Sequence, residues 1–232
     1  MMKRALLLGL THLTLAYSAS AFAEPTWYVH ADVGRLGPVS TARYFASQDS
    51  TAGNVLYTND TNHAMQFGTG LSFFDTFRME INLFRNLDAD INAHGSARIR
   101  AQNSNKALIT QLHLDFGSLL KSWTTTIEPY VFAGAGLNKT HLSGVQIQNS
   151  STSQEVGHYS DHKNRTLVTR YGAGIAYHLN PAWTLDLQYH YSDFGKAFFG
   201  PFAGGTANSS STPYVPLRYQ GAQINVRYYF TV

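Results

Sequence analysis

The sequence predicts an all-β fold, an eight-stranded antiparallel transmembrane β-barrel with short periplasmic turns and long extracellular loops. Three observations predict it. The first 23 residues read as an export signal, and segments of about ten residues then alternate apolar with polar positions. After Ala23 no run reaches the roughly 18 apolar residues that a membrane helix needs.

The export signal has three parts. Lys3 and Arg4 supply the positive start, Ala5 to Ala16 is apolar apart from Thr11, His12 and Thr14, and Ala21-Phe22-Ala23 is a small-x-small cleavage site before Glu24. Residues 1–23 are therefore expected to be a signal peptide, and 24–232 the barrel domain.

The strands follow in order, each with period two, the strand signature. The first covers Trp27 to Arg35, with Trp27, Val29, Ala31 and Val33 on one face. The second, Ala64 to Phe74, sets Met65, Phe67, Thr69, Leu71 and Phe73 against Gln66, Gly68, Gly70 and Ser72. The third, Phe77 to Leu87, sets Phe77, Met79, Ile81 and Leu83 against Arg78, Glu80 and Asn82. The fourth, Lys106 to Phe116, sets Leu108, Leu112 and Leu114 against Gln111, His113 and Asp115. The fifth, Thr126 to Asn138, sets Ile127, Val131 and Leu137 against Glu128, Tyr130, Gly134 and Gly136. The sixth, Thr166 to Leu179, sets Leu167, Tyr171, Ile175 and Tyr177 against Arg170, Gly172, Gly174 and His178. The seventh, Trp183 to Tyr191, sets Leu185, Leu187 and Tyr189 against Asp186, Gln188 and His190. The eighth, Arg218 to Phe230, sets Ile224, Val226, Tyr228 and Phe230 against Gln223, Asn225 and Arg227.

Connections alternate in length. Asp75-Thr76, Gly117 to Thr125 and Asn180-Pro181-Ala182 are short; Leu36 to His63, Asp88 to Asn105, Lys139 to Arg165 and Ser192 to Leu217 are long and polar. An even strand number with this asymmetry is the outer-membrane arrangement and puts both termini in the periplasm.

Composition agrees. Charged residues are 13% of the chain, below the usual globular share of about 25%. Tyr and Phe number 14 each. The absence of cysteine excludes disulfides and thiolate chemistry. The formal net charge of +3 includes Lys3 and Arg4, so the exported chain is nearly neutral and gives no case for nucleic acid.

In hydrocarbon every backbone polar group must pair, so the sheet closes on itself. The apolar face then meets lipid and the polar face turns inward, the reverse of a soluble lipocalin-like barrel. The expected inward charges are Asp32, Arg78, Glu80, Asp115, Glu128, Arg170, Asp186 and Arg227. Buried charges must be paired and hydrogen-bonded, so these residues are expected to form a polar network that plugs the barrel. Eight strands leave room only for side chains. The inward Gly68/Gly70, Gly134/Gly136 and Gly172/Gly174 pairs are expected to make space for Arg and Tyr from facing strands.

Several segments resemble a known superfamily. Glu128-Pro-Tyr-Val-Phe-Ala-Gly-Ala-Gly-Leu, Tyr171-Gly-Ala-Gly-Ile-Ala-Tyr, Trp183 to Gly195 and the closing Ile224-Asn-Val-Arg-Tyr-Tyr-Phe are similar to outer-membrane β-barrels of the OmpA-like and opacity-type groups. The resemblance implies insertion by the outer-membrane assembly machinery. Ile224, Val226, Tyr228 and Phe230 match the family's C-terminal assembly signal, with Thr231-Val232 as a departure. It also implies contact with outer-membrane lipid and lipopolysaccharide.

Four motifs carry competing readings. The Gly-x-Gly pairs lack the third glycine of a dinucleotide site. His190-Tyr-Ser192-Asp193 resembles the His-x-Ser-Asn motif of outer-membrane lipid A deacylases, but the alternation turns His190 and Ser192 inward and Asp193 replaces the Asn. His158, Asp161 and His162 share a loop without an evident fourth metal ligand. Trp27, Tyr28, Trp183, Tyr189, Tyr191, Tyr228 and Phe230 fit interfacial aromatic girdles. No catalytic residue, cofactor or metal is expected. The leading expectation is a structural or adhesion-type surface protein that meets an extracellular or host ligand through its loops. The alternatives are a narrow pore for ions or small solutes and a lipid A-modifying hydrolase.

Overall fold

The computed structural model describes residues 25–39, 56–59, 62–73, 76–86, 89–94, 97–117, 126–149, 151–203 and 214–230. The expected signal peptide, 1–23, lies outside them. Twelve strands follow in chain order: β1 (Thr26–Pro38), β2 (Leu56–Asn59), β3 (Asn62–Phe73), β4 (Phe77–Asn86), β5 (Ala89–His94), β6 (Ala97–Asp115), β7 (Ile127–Asn149), β8 (Glu155–Tyr159), β9 (His162–Asn180), β10 (Trp183–Phe198), β11 (Phe202–Ala203) and β12 (Tyr214–Tyr229).

The eight long strands form a closed antiparallel ring, β1-β3-β4-β6-β7-β9-β10-β12, sealed by β12 against β1. Closure leaves no exposed wall edge, the condition for a sheet in hydrocarbon. Side chains alternate strictly across the wall. In β4 the outward Phe77, Met79, Ile81 and Leu83 are exposed while Arg78, Glu80, Asn82 and Phe84 are buried. The expected outward sets of the other seven strands also lie on the outer face.

The strands are longer than the alternation predicted. Nine to eleven tilted residues cross the hydrocarbon layer; β6, β7 and β9 have 19, 23 and 19 residues. The wall therefore continues well past the membrane at the end away from the short turns. Residues expected in the long loops, such as 97–105, 139–149 and 192–198, are strand, and β2, β5, β8 and β11 extend the same sheet. In 139–149 and 192–198 the pattern concealed this because the strand face inverts there, whereas in 97–105 the buried parity continues unbroken. Two glycines mark the adjustment. Gly195, with φ of 80°, shifts the register between Asp193 and Lys196, after which the buried positions change from Phe194 to Ala197 and Phe199. Gly144, with φ of 62°, separates buried Leu142 from buried Val145. Both are bulges that need a residue tolerating positive φ.

Candidate functional site: the layered barrel interior

The interior has two layers. Near the short turns it is polar. Arg78 donates to both carboxylate oxygens of Asp115, at 2.7 and 2.8 Å, and its guanidinium lies 4.7 Å from the Tyr130 ring centre. Arg227 donates twice to Asp186, at 2.7 and 2.6 Å, and to the Tyr229 hydroxyl at 2.6 Å. These two-point arginine–carboxylate pairs are the strongest form of charge-assisted bond. Both arginines and both carboxylates are buried.

Glu80 joins the Arg78 pair to further polar groups. It accepts from the Tyr28 hydroxyl at 2.8 Å and lies 3.1 Å from His113 Nε2, 3.6 Å from His30 Nε2 and 3.6 Å from Arg78 Nη1. Asp32 accepts from Gln66 and Gln188, each at 3.1 Å, and its other oxygen is 2.7 Å from His30 Nδ1. Arg170 has no carboxylate at ion-pair distance among the described residues. It donates to Gln66 Oε1 and, at 3.0 Å, to Ser192 Oγ. Gln66 thus bridges Arg170 to Asp32. Glu128 stands apart at the short-turn rim, half-buried and 3.1 Å from His178.

Rings, not arginines, reach over Gly68, Gly70, Gly172 and Gly174, whereas Gly134 and Gly136 lie against the neighbouring strand's backbone at Thr110, Gln111 and Leu108. Tyr28 lies opposite Gly70 and Tyr130 opposite Gly174 in register, and an added Cβ at either glycine would strike the facing ring. His30 and Asn82 fill the space over Gly68.

Arg170 also marks the top of this layer, with its guanidinium 4.8 Å from the ring centre of Phe84. Beyond Phe84 an apolar cluster fills the interior together with buried asparagines. Leu36, Ile109, Val168, Phe194, Ala197, Phe199, Val215, Leu217 and Tyr219 pack as one buried cluster. A belt of asparagines runs through it. Asn138 Nδ2 donates to Thr140 Oγ1 at 2.8 Å and to the Phe194 carbonyl at 3.2 Å, and Asn103 donates to the Tyr219 hydroxyl at 3.3 Å.

His190 and Ser192 both face the interior and are buried. Ser192 is held by Arg170, while neither ring nitrogen of His190 has a hydrogen-bond partner among the described residues. The pair is therefore on the side of the wall away from lipid. His158 lies on β8, 3.6 Å from Glu155, and Asp161 lies 3.7 Å from His141. Among the described residues no three His, Asp or Glu side chains converge as a metal site. Ile224, Val226, Tyr228 and Phe230 lie on the outer face of the closing strand and its end.

Comparison with known proteins agrees with this architecture. A family model described as the outer membrane protein beta-barrel domain matches residues 6–230. The chain belongs to that outer-membrane β-barrel family. The lipid its apolar wall meets is accordingly that of a bacterial outer membrane. Among solved structures, OprG from Pseudomonas aeruginosa is 14% identical, with 89% of this chain and 96% of that chain covered and a TM-score of 0.57. A major outer membrane protein from Thermus thermophilus is 11% identical, covering 89% and 99%, with a TM-score of 0.52. At such identities the likeness is one of fold. No curated protein matches the chain in sequence.

The sequence pattern did not single out His30, His113, Gln66 and Tyr28 as site residues, although all four have the inward parity of their strands; Tyr28, expected in the interfacial girdle, is instead buried inside the barrel, because 28, 30 and 32 share one face of β1. Their parity was the available signal. Their roles as connectors between charges come from register and from reach across the barrel.

Proposed function

We propose that this outer-membrane barrel is a non-conducting scaffold that displays a recognition surface at its long-connection end, the extracellular side. One observation carries the reading: the interior is occupied in two successive layers, the paired charges around Arg78 and Arg227 and the apolar cluster around Phe84 and Leu217. A solute path would have to cross both. Chemistry that contacts a partner then belongs to the projecting wall and its connections, where a rigid scaffold usually carries recognition. The short-turn end and both termini are periplasmic in this reading, residues 1–23 are removed on export, and Ile224, Val226, Tyr228 and Phe230 form the signal read by the assembly machinery.

Planar-bilayer recording of the purified barrel tests the scaffold reading. A silent membrane is the expected result. Stable, discrete openings would favour the narrow-pore alternative. Cell-binding assays with the connections shortened test the recognition role, with binding expected to fall.

A further inference from the structure

The buried charges of the polar layer do not balance. Among the described residues its buried acids are Asp32, Glu80, Asp115 and Asp186, and its buried guanidiniums are Arg78, Arg170 and Arg227. Arg78 is matched by Asp115 and Arg227 by Asp186. Arg170 is left to serve two carboxylates, Asp32 and Glu80, and reaches Asp32 only through Gln66. One negative charge therefore lacks a counterpart inside a wall that lipid surrounds, where an ion without a countercharge is strongly disfavoured.

His30 stands where the missing charge is needed. It is buried on β1, with Nδ1 2.7 Å from Asp32 Oδ1 and Nε2 3.6 Å from Glu80 Oε2. Its neighbour on β3 is Gly68, where an added Cβ would strike Nε2. A neutral imidazole has one donor nitrogen and one acceptor, and an acceptor turned to a carboxylate is repelled. Only the imidazolium offers a hydrogen to both acids. The other groups around it leave it that role. Tyr28 shares its strand face and donates to Glu80, Asn82 approaches from β4, and the Asn225 amide of β12 lies 3.3 Å from Nδ1. The cation directly across on β12, Arg227, is bonded to Asp186 and Tyr229. His113 on β6 is 3.1 Å from Glu80, but its ring is stacked on Phe132 and meets no second carboxylate among the described residues. His190 has no hydrogen-bond partner among them at all.

We propose that His30 holds a buried proton as the fourth cation of the polar layer, clasping Asp32 to Glu80, and that loss of this proton loosens the plug. The clasp joins β1 to β4, which are not neighbours in the ring because β3 lies between them. Without the proton, one carboxylate charge is again unmatched and the two acids repel each other across the ring. The stabilisation is present while His30 is charged and is lost as rising pH discharges it. The interior is thus a lock that alkaline conditions weaken. The inference rests on the lipid around the wall. It is independent of what the loops recognise and of whether the lumen conducts.

The test is nitrogen-15 NMR of the folded protein, labelled at histidine and held in lipid at about pH 8, where exposed imidazoles are neutral. One ring with hydrogen on both nitrogens is expected. It should persist in His113→Gln and vanish in the double variant His30→Gln/Asp32→Asn, which removes one charge of each sign. The heat-dependent gel shift gives the second measurement and verifies that each variant folds. Between about pH 7 and about pH 10 its midpoint should fall by roughly 5 °C more in the unaltered protein than in the double variant. At about pH 7 the single variant His30→Gln, left with the extra carboxylate charge, should melt below the double variant. A spectrum in which every histidine is neutral would overturn the proposal without any variant. So would a doubly protonated ring that disappears in the folded His113→Gln variant, or equal pH dependence of the unaltered protein and the double variant.

Discussion

The interior around Arg78 and the interior around Leu217 belong to one continuous wall but are built from opposite chemistry. The first is a set of paired charges linked by amides and rings; the second is an apolar cluster with an asparagine belt. The difference follows what lies outside. Where lipid covers the wall, Leu83, Leu108 and Leu137 gain nothing by turning inward, so the inner face is left to polar groups that must satisfy one another. Past Arg85, Lys106 and Lys139 the outer face meets water and carries Ser104, Gln102 and Lys163. There apolar side chains gain by entering the interior, as in a soluble barrel. The solvent on one side of a thin wall decides the chemistry of the other.

That contrast can be broken most severely by moving a charge into the wrong layer. Leu217→Asp places a carboxylate among Phe194, Ala197 and Val215 without a partner, and should cost roughly 4–5 kcal/mol, read by urea unfolding in lipid vesicles. Removing one member of a pair in the polar layer ranks next. Asp186→Ala leaves Arg227 buried without a paired carboxylate among the described residues and should cost about 3–5 kcal/mol. The double replacement Asp186→Leu/Arg227→Met should recover most of that loss, because a well-packed apolar pair can substitute for a buried ion pair. If the double variant were as unstable as the single one, the polar layer would need its charges for more than mutual satisfaction.

In the apolar layer, Phe84→Ala should cost about 3 kcal/mol by creating a cavity. It also removes the ring that caps Arg170. Gly70→Ala drives a methyl group into the Tyr28 ring and should cost roughly 1–3 kcal/mol by overpacking. The exposed Asp193–Arg218 pair sits outside both layers, and Asp193→Asn should change stability by no more than about 1 kcal/mol. A large effect there would show that the projecting wall depends on its surface charges.

Much of the fold was legible because strand alternation is local. Arg78 and Glu80 lie two residues apart, as do Asp186 and Gln188, and no later contact alters the face they share. Closure also followed from sequence, since a half-apolar sheet in hydrocarbon has no other way to pair its backbone. The projecting wall was not legible. In 139–149 and 192–198 the apolar positions change face across Gly144 and Gly195, which resembles the end of a pattern when read along the chain. The interior partners were hidden for a different reason. Asp115 is 37 residues from Arg78, and Gln66 is 104 from Arg170. Nothing in either segment specifies the register and barrel curvature that bring them together.

By itself, then, the sequence determined the eight strands of the ring, the face of each residue in their alternating stretches and the membrane as solvent, because these depend on neighbours two positions apart. Only the tertiary structure decided which charges pair, where the polar interior yields to an apolar one, and that His30 stands between two carboxylates. Those depend on register between strands, which is settled by closure of the whole ring.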